Sequence, residues 1–176
     1  MPRTTCRPRA SWNVTKQFIR PWVLVPPKPF DASTSSVLAP SRALAIAATG
    51  MIVDGVFDEF PTLRVGFLEG GTCWIPMVLD RLAREQEYGG LRIKRKPVQY
   101  FSSGKIFCSC EGNEKALAYA IERVGPQPFM FASDFPHEIS LDNCLEEIDE
   151  IVVRKDLKEE HKAAILGENA RRFYKI

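Results

Sequence analysis

Residues 129–137, Phe129-Met130-Phe131-Ala132-Ser133-Asp134-Phe135-Pro136-His137, decide how the rest of the chain is interpreted. The apolar run at the start of this stretch is too short for a helix and has prolines on both sides, which predicts a buried strand that ends in a turn. Asp134 and His137 then follow the strand where parallel α/β folds keep their catalytic groups. The alternative is that Asp134 only caps a turn and that His137 lies at the surface, because Asp and Pro are ordinary turn residues.

Two earlier apolar runs end in the same way. Residues 63–68 lead into Glu69, and residues 106–110 lead into Glu111. Helical spacing of apolar residues follows each run, which predicts an α/β chain of parallel strands and crossover helices. Glu69, Glu111 and Asp134 are then expected at one edge of the sheet, where neighbouring like charges favour a bound cation or acid/base chemistry. Ordinary strand-to-helix loops explain Glu69 and Glu111 equally well.

The chain divides into two parts by composition. Residues 1–40 contain seven prolines and no acid before Asp31, which predicts an irregular, basic N-terminal segment. Residues 41–176 show regular periodicity and are predicted to form the folded domain, beginning with a helix that Ser41 caps and that runs to about Phe57.

Composition excludes several classes of protein. The chain has 176 residues, 45% of them hydrophobic, and a net charge of +2, so one domain with a substantial core is expected and nucleic-acid binding is not. It contains no apolar run of the length that a membrane span needs. An odd number of cysteines without an apolar secretory signal favours reduced thiols and a cytoplasmic location. A thiolate metal site is a remaining alternative, although no C-x-x-C pair supports it; its candidate ligands are Cys108 and Cys110 with Cys73 or Cys144.

Four stretches resemble, in order, the second half of the amidohydrolase-related family. They are GVFDEFP at 55–61, LRVGFLEGG at 63–71 with WIP at 74–76 and DRL at 80–82, SDFPH at 133–137, and ILGENARRFY at 165–174. This family comprises metal-dependent barrel hydrolases and decarboxylases, including aminocarboxymuconate-semialdehyde decarboxylase. The resemblance implies the C-terminal half of a (β/α)₈ TIM barrel, a partial barrel with parallel strands.

The resemblance also implies roles for the acids. Asp134 is expected to bind the metal, a divalent ion such as Zn²⁺, and to act in catalysis with Glu69, while Glu111 and His137 are expected to bind substrate. Decarboxylase members carry a His where this chain has Glu69. The family's His-x-His pair and the His of its fifth strand have no counterpart, because His137 and His161 are the two histidines of the chain. Metal binding by this chain is therefore expected to be weak or absent.

Three functions follow as hypotheses. The first is half of a hydrolase or decarboxylase that acts on C–N, C–O or C–C bonds of a small carboxylate or cyclic substrate, incomplete without its N-terminal half; whether the chain is itself an enzyme stays open. The second is a non-catalytic remnant that self-associates, because a half-barrel leaves two sheet edges and an apolar inner face exposed. The third is a phosphate-binding module built from Gly70, Gly71 and the basic run 92–96. Neither a membrane nor a nucleic acid is expected as a partner.

Overall fold

The computed structural model describes residues 32–133, 135–136, 139–140 and 143–176, with side chains from residue 38 onward. Eight α-helices, a short π-helix and three strands occur in these ranges. In chain order they are α1 (Ala32–Val53), α2 (Val56–Glu59), β1 (Val65–Phe67), α3 (Trp74–Glu87), α4 (Pro97–Phe101), β2 (Ile106–Cys110), α5 (Ala116–Val124), β3 (Phe129–Phe131), α6 (Cys144–Val153), α7 (Glu159–Ala163), the π-helix (Ala164–Glu168) and α8 (Asn169–Tyr174).

The three strands form one parallel sheet in the order β1-β2-β3. Phe67 is paired with Cys108, and Cys108 with Phe129, so the strands run side by side in register. All five residues of β2 are buried, as expected for the central strand of a parallel sheet that is covered on both faces. The predicted α/β class and the parallel strand direction are confirmed.

One face of the sheet packs against the crossover helices. Phe67 of β1 contacts the indole of Trp74 with ring centroids 5.8 Å apart, and Trp74 in turn contacts Phe101 of α4 at 6.1 Å. Helices α3 and α5 each present an apolar stripe to this face, with their charged residues on the opposite side. The core therefore lies between the sheet and the helices, as in one segment of a (β/α) barrel.

The opposite face of the sheet is also covered. Phe107 of β2 is fully buried, and its ring lies 5.0 Å from that of Phe173 in α8. Met130 of β3 is buried as well. The expectation of an exposed apolar inner face is therefore wrong for these two residues. In the case of Phe107, the reason is that the C-terminal helix returns to this side of the sheet.

Helix α1 begins earlier than the sequence predicts. It starts at Ala32 rather than at Ser41, and it contains Pro40. Ser41 is consequently not an N-cap: its hydroxyl donates a hydrogen bond of 2.7 Å to the carbonyl oxygen of Gly70 in the loop after β1. Packing of α1 on α3 outweighs the local penalty of an internal proline, since tertiary contacts supply most of a helix's stability. The division at residue 40 between two chain segments remains a prediction.

The segment before β2 also differs from the prediction. Residues 97–101 form helix α4, which sequence periodicity did not indicate because it comprises little more than one turn. The basic residues 92 and 94–96 ahead of it are exposed, in agreement with their interpretation as a solvated loop. No helix in the part of the chain that the structure describes is long and apolar enough to cross a membrane.

Residues in the motifs that carry the family resemblance stabilise the fold. The Asp58 side chain is nearly buried, accepts a hydrogen bond of 2.8 Å from the Tyr100 hydroxyl and lies 3.4 Å from Arg95 Nε. Burial, together with the adjacent Asp58 carboxylate, raises the pKa of Tyr100. Asn169 is fully buried, and its amide nitrogen donates to the carbonyl oxygens of Pro126 and Phe129, both at 2.8 Å. This asparagine therefore fastens the C-terminal helix to the beginning of β3.

Candidate functional site at the carboxyl edge of the sheet

The carboxyl ends of the three strands meet at one edge. Glu69 follows β1 and Glu111 follows β2, and both residues are exposed. Because the strands are parallel, the structure brings these two acids to the same edge, as predicted. Asp134 and His137, the remaining candidate site residues, lie outside the described residues, and their roles remain predictions.

Glu69 has an unusual backbone conformation. Its φ is +61°, a left-handed value that costs a residue with a side chain about 1 kcal/mol or more. Its N–H donates a hydrogen bond of 2.7 Å to the hydroxyl oxygen of Ser109, a nearly buried residue of β2. Ser109 thus holds the turn in which Glu69 leaves the strand. Sequence reasoning did not identify Ser109, although its position between Cys108 and Cys110 marked it as polar within a buried strand.

The loop after β1 is fastened to the loop after β2 by Glu114. The Glu114 carboxylate accepts hydrogen bonds from the backbone N–H and from the hydroxyl of Thr72; the latter is 2.8 Å long. Thr72 is fully buried and stands just ahead of α3. Sequence reasoning missed Glu114, because nothing in its local pattern distinguishes it from a solvated acid.

Helix α6 closes tightly over the loop that follows β2. A Cβ atom added to Gly112 would lie 2.5 Å from the carbonyl oxygen of Glu147 and 2.6 Å from Glu150 Cβ. Arg154, just after α6, donates through Nη1 to the carbonyl oxygens of Gly112 (3.1 Å) and Glu114 (2.7 Å). A residue with a side chain at position 112 would separate this loop from the helix.

The cysteines of β2 are core residues. Burial raises the pKa of both the Cys108 and the Cys110 thiol, which makes their thiolate forms less favourable. Among residues 32–133, 135–136, 139–140 and 143–176, no group of three or more His, Cys, Asp or Glu side chains could hold a metal ion. The residues described at this edge therefore do not by themselves fit a resident metal.

One backbone donor of the loop ahead of α3 is already engaged by an acid. The N–H of Thr72, which follows Gly70 and Gly71, donates to the carboxylate of Glu114 and is therefore not free to bind a phosphate. Of the basic run, Arg95 is paired with an acid, because its Nε lies 3.4 Å from Asp58 Oδ1. Both observations count against a phosphate-binding module built from Gly70, Gly71 and residues 92–96.

Known proteins with similar sequences and structures identify the family of this chain. The model of the family described as amidohydrolase matches residues 29–176. The chain belongs to the amidohydrolase family. Three solved structures illustrate its relationship to other members. An amidohydrolase from Mycobacterium avium subsp. paratuberculosis K-10 is 23% identical, with a TM-score of 0.63 over 80% of this chain and 35% of that one.

The other two amidohydrolase-family structures are described as decarboxylases. 5-Carboxyvanillate decarboxylase LigW from Sphingomonas paucimobilis is 30% identical, with a TM-score of 0.58 over 75% of this chain and 39% of that one. Dihydroxybenzoic acid decarboxylase from Polaromonas sp. JS666, solved with bound manganese, is 20% identical, with a TM-score of 0.60 over 85% of this chain and 48% of that one. The chain thus spans less than half the length of these structures, and its sheet corresponds to part of their barrel.

Replacing Gly71 by alanine is expected to destabilise the loop after β1 at the carboxyl edge of the sheet. Gly71 has φ +60°, and an added Cβ would lie 2.8 Å from Glu114 Oε1. We expect a loss of about 2 kcal/mol in unfolding free energy, from backbone strain and from displacement of the Glu114 carboxylate. Urea unfolding measures it.

Gly104→Ala is the matched control for Gly71→Ala. Gly104 also has a positive φ, +73°, but no atom lies within 4 Å of its added Cβ. The strain alone should cost about 1 kcal/mol. Equal losses for the two variants would show that the approach of Glu114 to Gly71 is unimportant.

Proposed function

We propose that this chain supplies the carboxyl-edge acids of a metal-dependent amidohydrolase-related enzyme that cleaves a C–N, C–O or C–C bond of a small carboxylate or cyclic substrate. The observation that supports the proposal is the parallel direction of β1 and β2, whose carboxyl ends are followed by Glu69 and Glu111; barrel enzymes bind substrate at the carboxyl edge of their sheet. Family membership supports the reaction class. The names of the related decarboxylases favour removal of the carboxyl group of an aromatic acid as the C–C case.

Each acid has a proposed role. Glu69, held in its turn by Ser109, acts as the acid/base group, and Glu111 binds polar groups of the substrate. Asp134 is the proposed metal ligand and base. His137 is the residue proposed to line the mouth of the site. In decarboxylation the electron pair of the broken C–C bond remains on the ring carbon, a proton replaces the carboxyl group there, and CO₂ leaves. Protonation of that ring carbon is the step in which a carboxyl group of this chain takes part.

A divalent cation, Zn²⁺ or Mn²⁺, is the proposed cofactor of the completed enzyme. It would polarise the substrate or a bound water, as metal ions do in hydrolytic enzymes. The described acids do not form a metal site by themselves, so we propose that its further ligands come from outside this chain's described residues.

Reconstitution tests the catalytic proposal. The full chain would be co-expressed with the N-terminal portion of 5-carboxyvanillate decarboxylase that it does not cover, and the purified complex assayed for CO₂ release from 5-carboxyvanillate with Mn²⁺ or Zn²⁺. We expect activity that falls at least about 100-fold in Glu69→Gln and in Asp134→Asn. Glu122→Gln, an exposed acid of α5, is the control. An isolable complex that is inactive, or that is equally active in all variants, would refute the proposal.

Zinc binding by the isolated chain is expected to be weak. One aspartate and one nearby histidine provide fewer protein ligands than the three that catalytic zinc usually has. Isothermal titration calorimetry of the purified chain should detect no site of micromolar affinity. A micromolar site that disappears in Asp134→Ala would overturn this prediction.

An assembly domain is the second candidate function. Within the part of the chain that the structure describes, β1 and β3 each pair with one strand, so each has an open edge. Large apolar side chains are exposed on α1 and α6; they are Leu38, Ile46, Leu145, Val152 and Val153. These features favour association with a second copy or with a complementary half-barrel.

Light scattering coupled to size-exclusion chromatography tests the assembly proposal. We expect a dimer or larger species at tens of micromolar protein. Ile46→Glu and Leu145→Glu should dissociate it, whereas Tyr119→Glu, on the exposed face of α5, should not. A monomer for the unmodified chain would count against self-association.

A further inference from the structure

Two loops that carry the candidate acids are joined by one carboxylate. Thr72 lies three residues after Glu69, and Glu114 lies three residues after Glu111. Both the backbone N–H and the hydroxyl of Thr72 donate to Glu114 Oε1. Thr72 is fully buried, and hydrogen bonds accepted by an ionised carboxylate are of the stronger kind.

The loop that carries Glu114 is itself anchored. Arg154 Nη1 donates to the carbonyl oxygens of Gly112 and Glu114, and the same guanidinium binds Asp156 through Nε at 2.9 Å and Nη2 at 2.6 Å. The Arg154 side chain is only 11% exposed. The backbone around Glu114 therefore has fixed partners on the α6 side, and the carboxylate extends from a fixed base.

Capping of α3 does not by itself require this arrangement. The residue at the N-cap position, Cys73, makes no side-chain hydrogen bond to the helix. A Ser or Asp at that position would satisfy the free N–H groups from within the same loop. The Glu114 carboxylate, from the loop after β2, accepts instead from the N–H and the hydroxyl of Thr72, which precedes the N-cap residue, so these bonds join the two loops rather than cap the helix.

We infer that Glu114 is a positioning residue that fixes the loop of Glu69 relative to Glu111 through Thr72. The catalytic benefit of this positioning rests on the proposed function, in which the two acids act on one substrate. Ser109 provides the complementary contact from the strand by accepting the hydrogen bond of the Glu69 N–H. The geometry of the acid pair is thus set by two hydrogen-bonded contacts between neighbouring strands and loops.

Nuclear magnetic resonance of the full chain tests the inference without requiring activity. Amide spectra and hydrogen-exchange rates would be compared for the unmodified chain and for Glu114→Ala, Glu114→Gln and Thr72→Val, with Glu122→Gln as the charge-matched control. In Glu114→Ala we expect the Thr72 amide signal to move upfield and to exchange at least about tenfold faster. The amide signals of Glu69 and Glu111 should shift too.

The conservative variants separate positioning from a merely structural role. Glu114→Gln retains an acceptor oxygen, so the Glu69 and Glu111 signals should return most of the way toward the unmodified positions. If Glu114→Ala does not fold, Thr72→Val, which removes one of the two bonds, must produce a smaller shift of the same signals. Unchanged Glu69 and Glu111 signals in a folded Glu114 or Thr72 variant would overturn the inference, even where the melting temperature falls.

Failure of the proposed function gives a different result. An inactive reconstituted complex with shifted Glu69 and Glu111 signals would remove the catalytic purpose and leave the coupling of the loops intact. In an active complex, Glu114→Ala should lower kcat by more than it raises KM, because the substrate contacts themselves remain, and Glu114→Gln should restore most of the lost kcat. Equal activity of Glu114→Ala and the unmodified chain would contradict the positioning role.

Discussion

Asn169→Asp will destabilise the chain by about 3 kcal/mol or more, although the two side chains have nearly the same shape. The amide nitrogen of Asn169 donates to the carbonyl oxygens of Pro126 and Phe129 from a fully buried position. An aspartate would direct a charged oxygen at two carbonyl oxygens and leave all of them without a donor. In a chain of this size the loss corresponds to a fall in melting temperature of about 6–12 °C, measurable by calorimetry.

Asn143→Asp is the matched control for the change at position 169. Asn143 is exposed at the start of α6, where aspartate is as favourable a residue as asparagine. Its variant should unfold within about 0.5 kcal/mol of the unmodified chain. Similar stabilities for the two variants would mean that Asn169 does not fasten the C-terminal helix to β3.

The second large effect is expected at Gly112. In Gly112→Ala the new methyl group meets the backbone oxygen of Glu147, which cannot move without shifting helix α6. We expect a loss of about 3 kcal/mol, at the upper end of the range for overpacked sites, seen as a lower urea midpoint. The Arg154 hydrogen bonds to this loop should weaken at the same time.

Gly50→Ala controls for the chemistry of the substitution. Gly50 lies inside α1, and no atom lies within 4 Å of its added Cβ. Alanine should stabilise that helix by about 0.5–1 kcal/mol, an effect of opposite sign. A Gly112→Ala variant as stable as Gly50→Ala would show that α6 does not pack against the loop as closely as the structure indicates.

These two sites differ in how visible they are in the sequence. Asn169 lies in one of the four stretches that resemble the amidohydrolase-related family, so its importance was indicated, but its bonding partners were not. Gly112 follows the candidate site residue Glu111. No local pattern in the sequence indicates that it packs against α6, where Glu147 lies 35 residues later in the chain. Close approach between distant segments leaves no local pattern, whereas periodicity and turn residues do.

The candidate site shows the same division. Glu69 and Glu111 were identified because each ends an apolar run, and parallel strands bring such ends together. Ser109, Glu114 and Arg154 were not identified, because each acts on the backbone of another loop or strand. Asp134 and His137 remain predictions of sequence alone.

What the sequence determined by itself was the three strands with a helix after each, the parallel class of the sheet and the family; helix α4 was not among the predicted elements. The strand Ile106–Cys110 has the predicted bounds, since a short apolar run between turn residues is a local signal. The tertiary structure alone decided where α1 begins, how the C-terminal helix covers Phe107, and how Glu114 joins the two acid-bearing loops. These features depend on contacts between residues far apart in the chain, where packing outweighs local propensity.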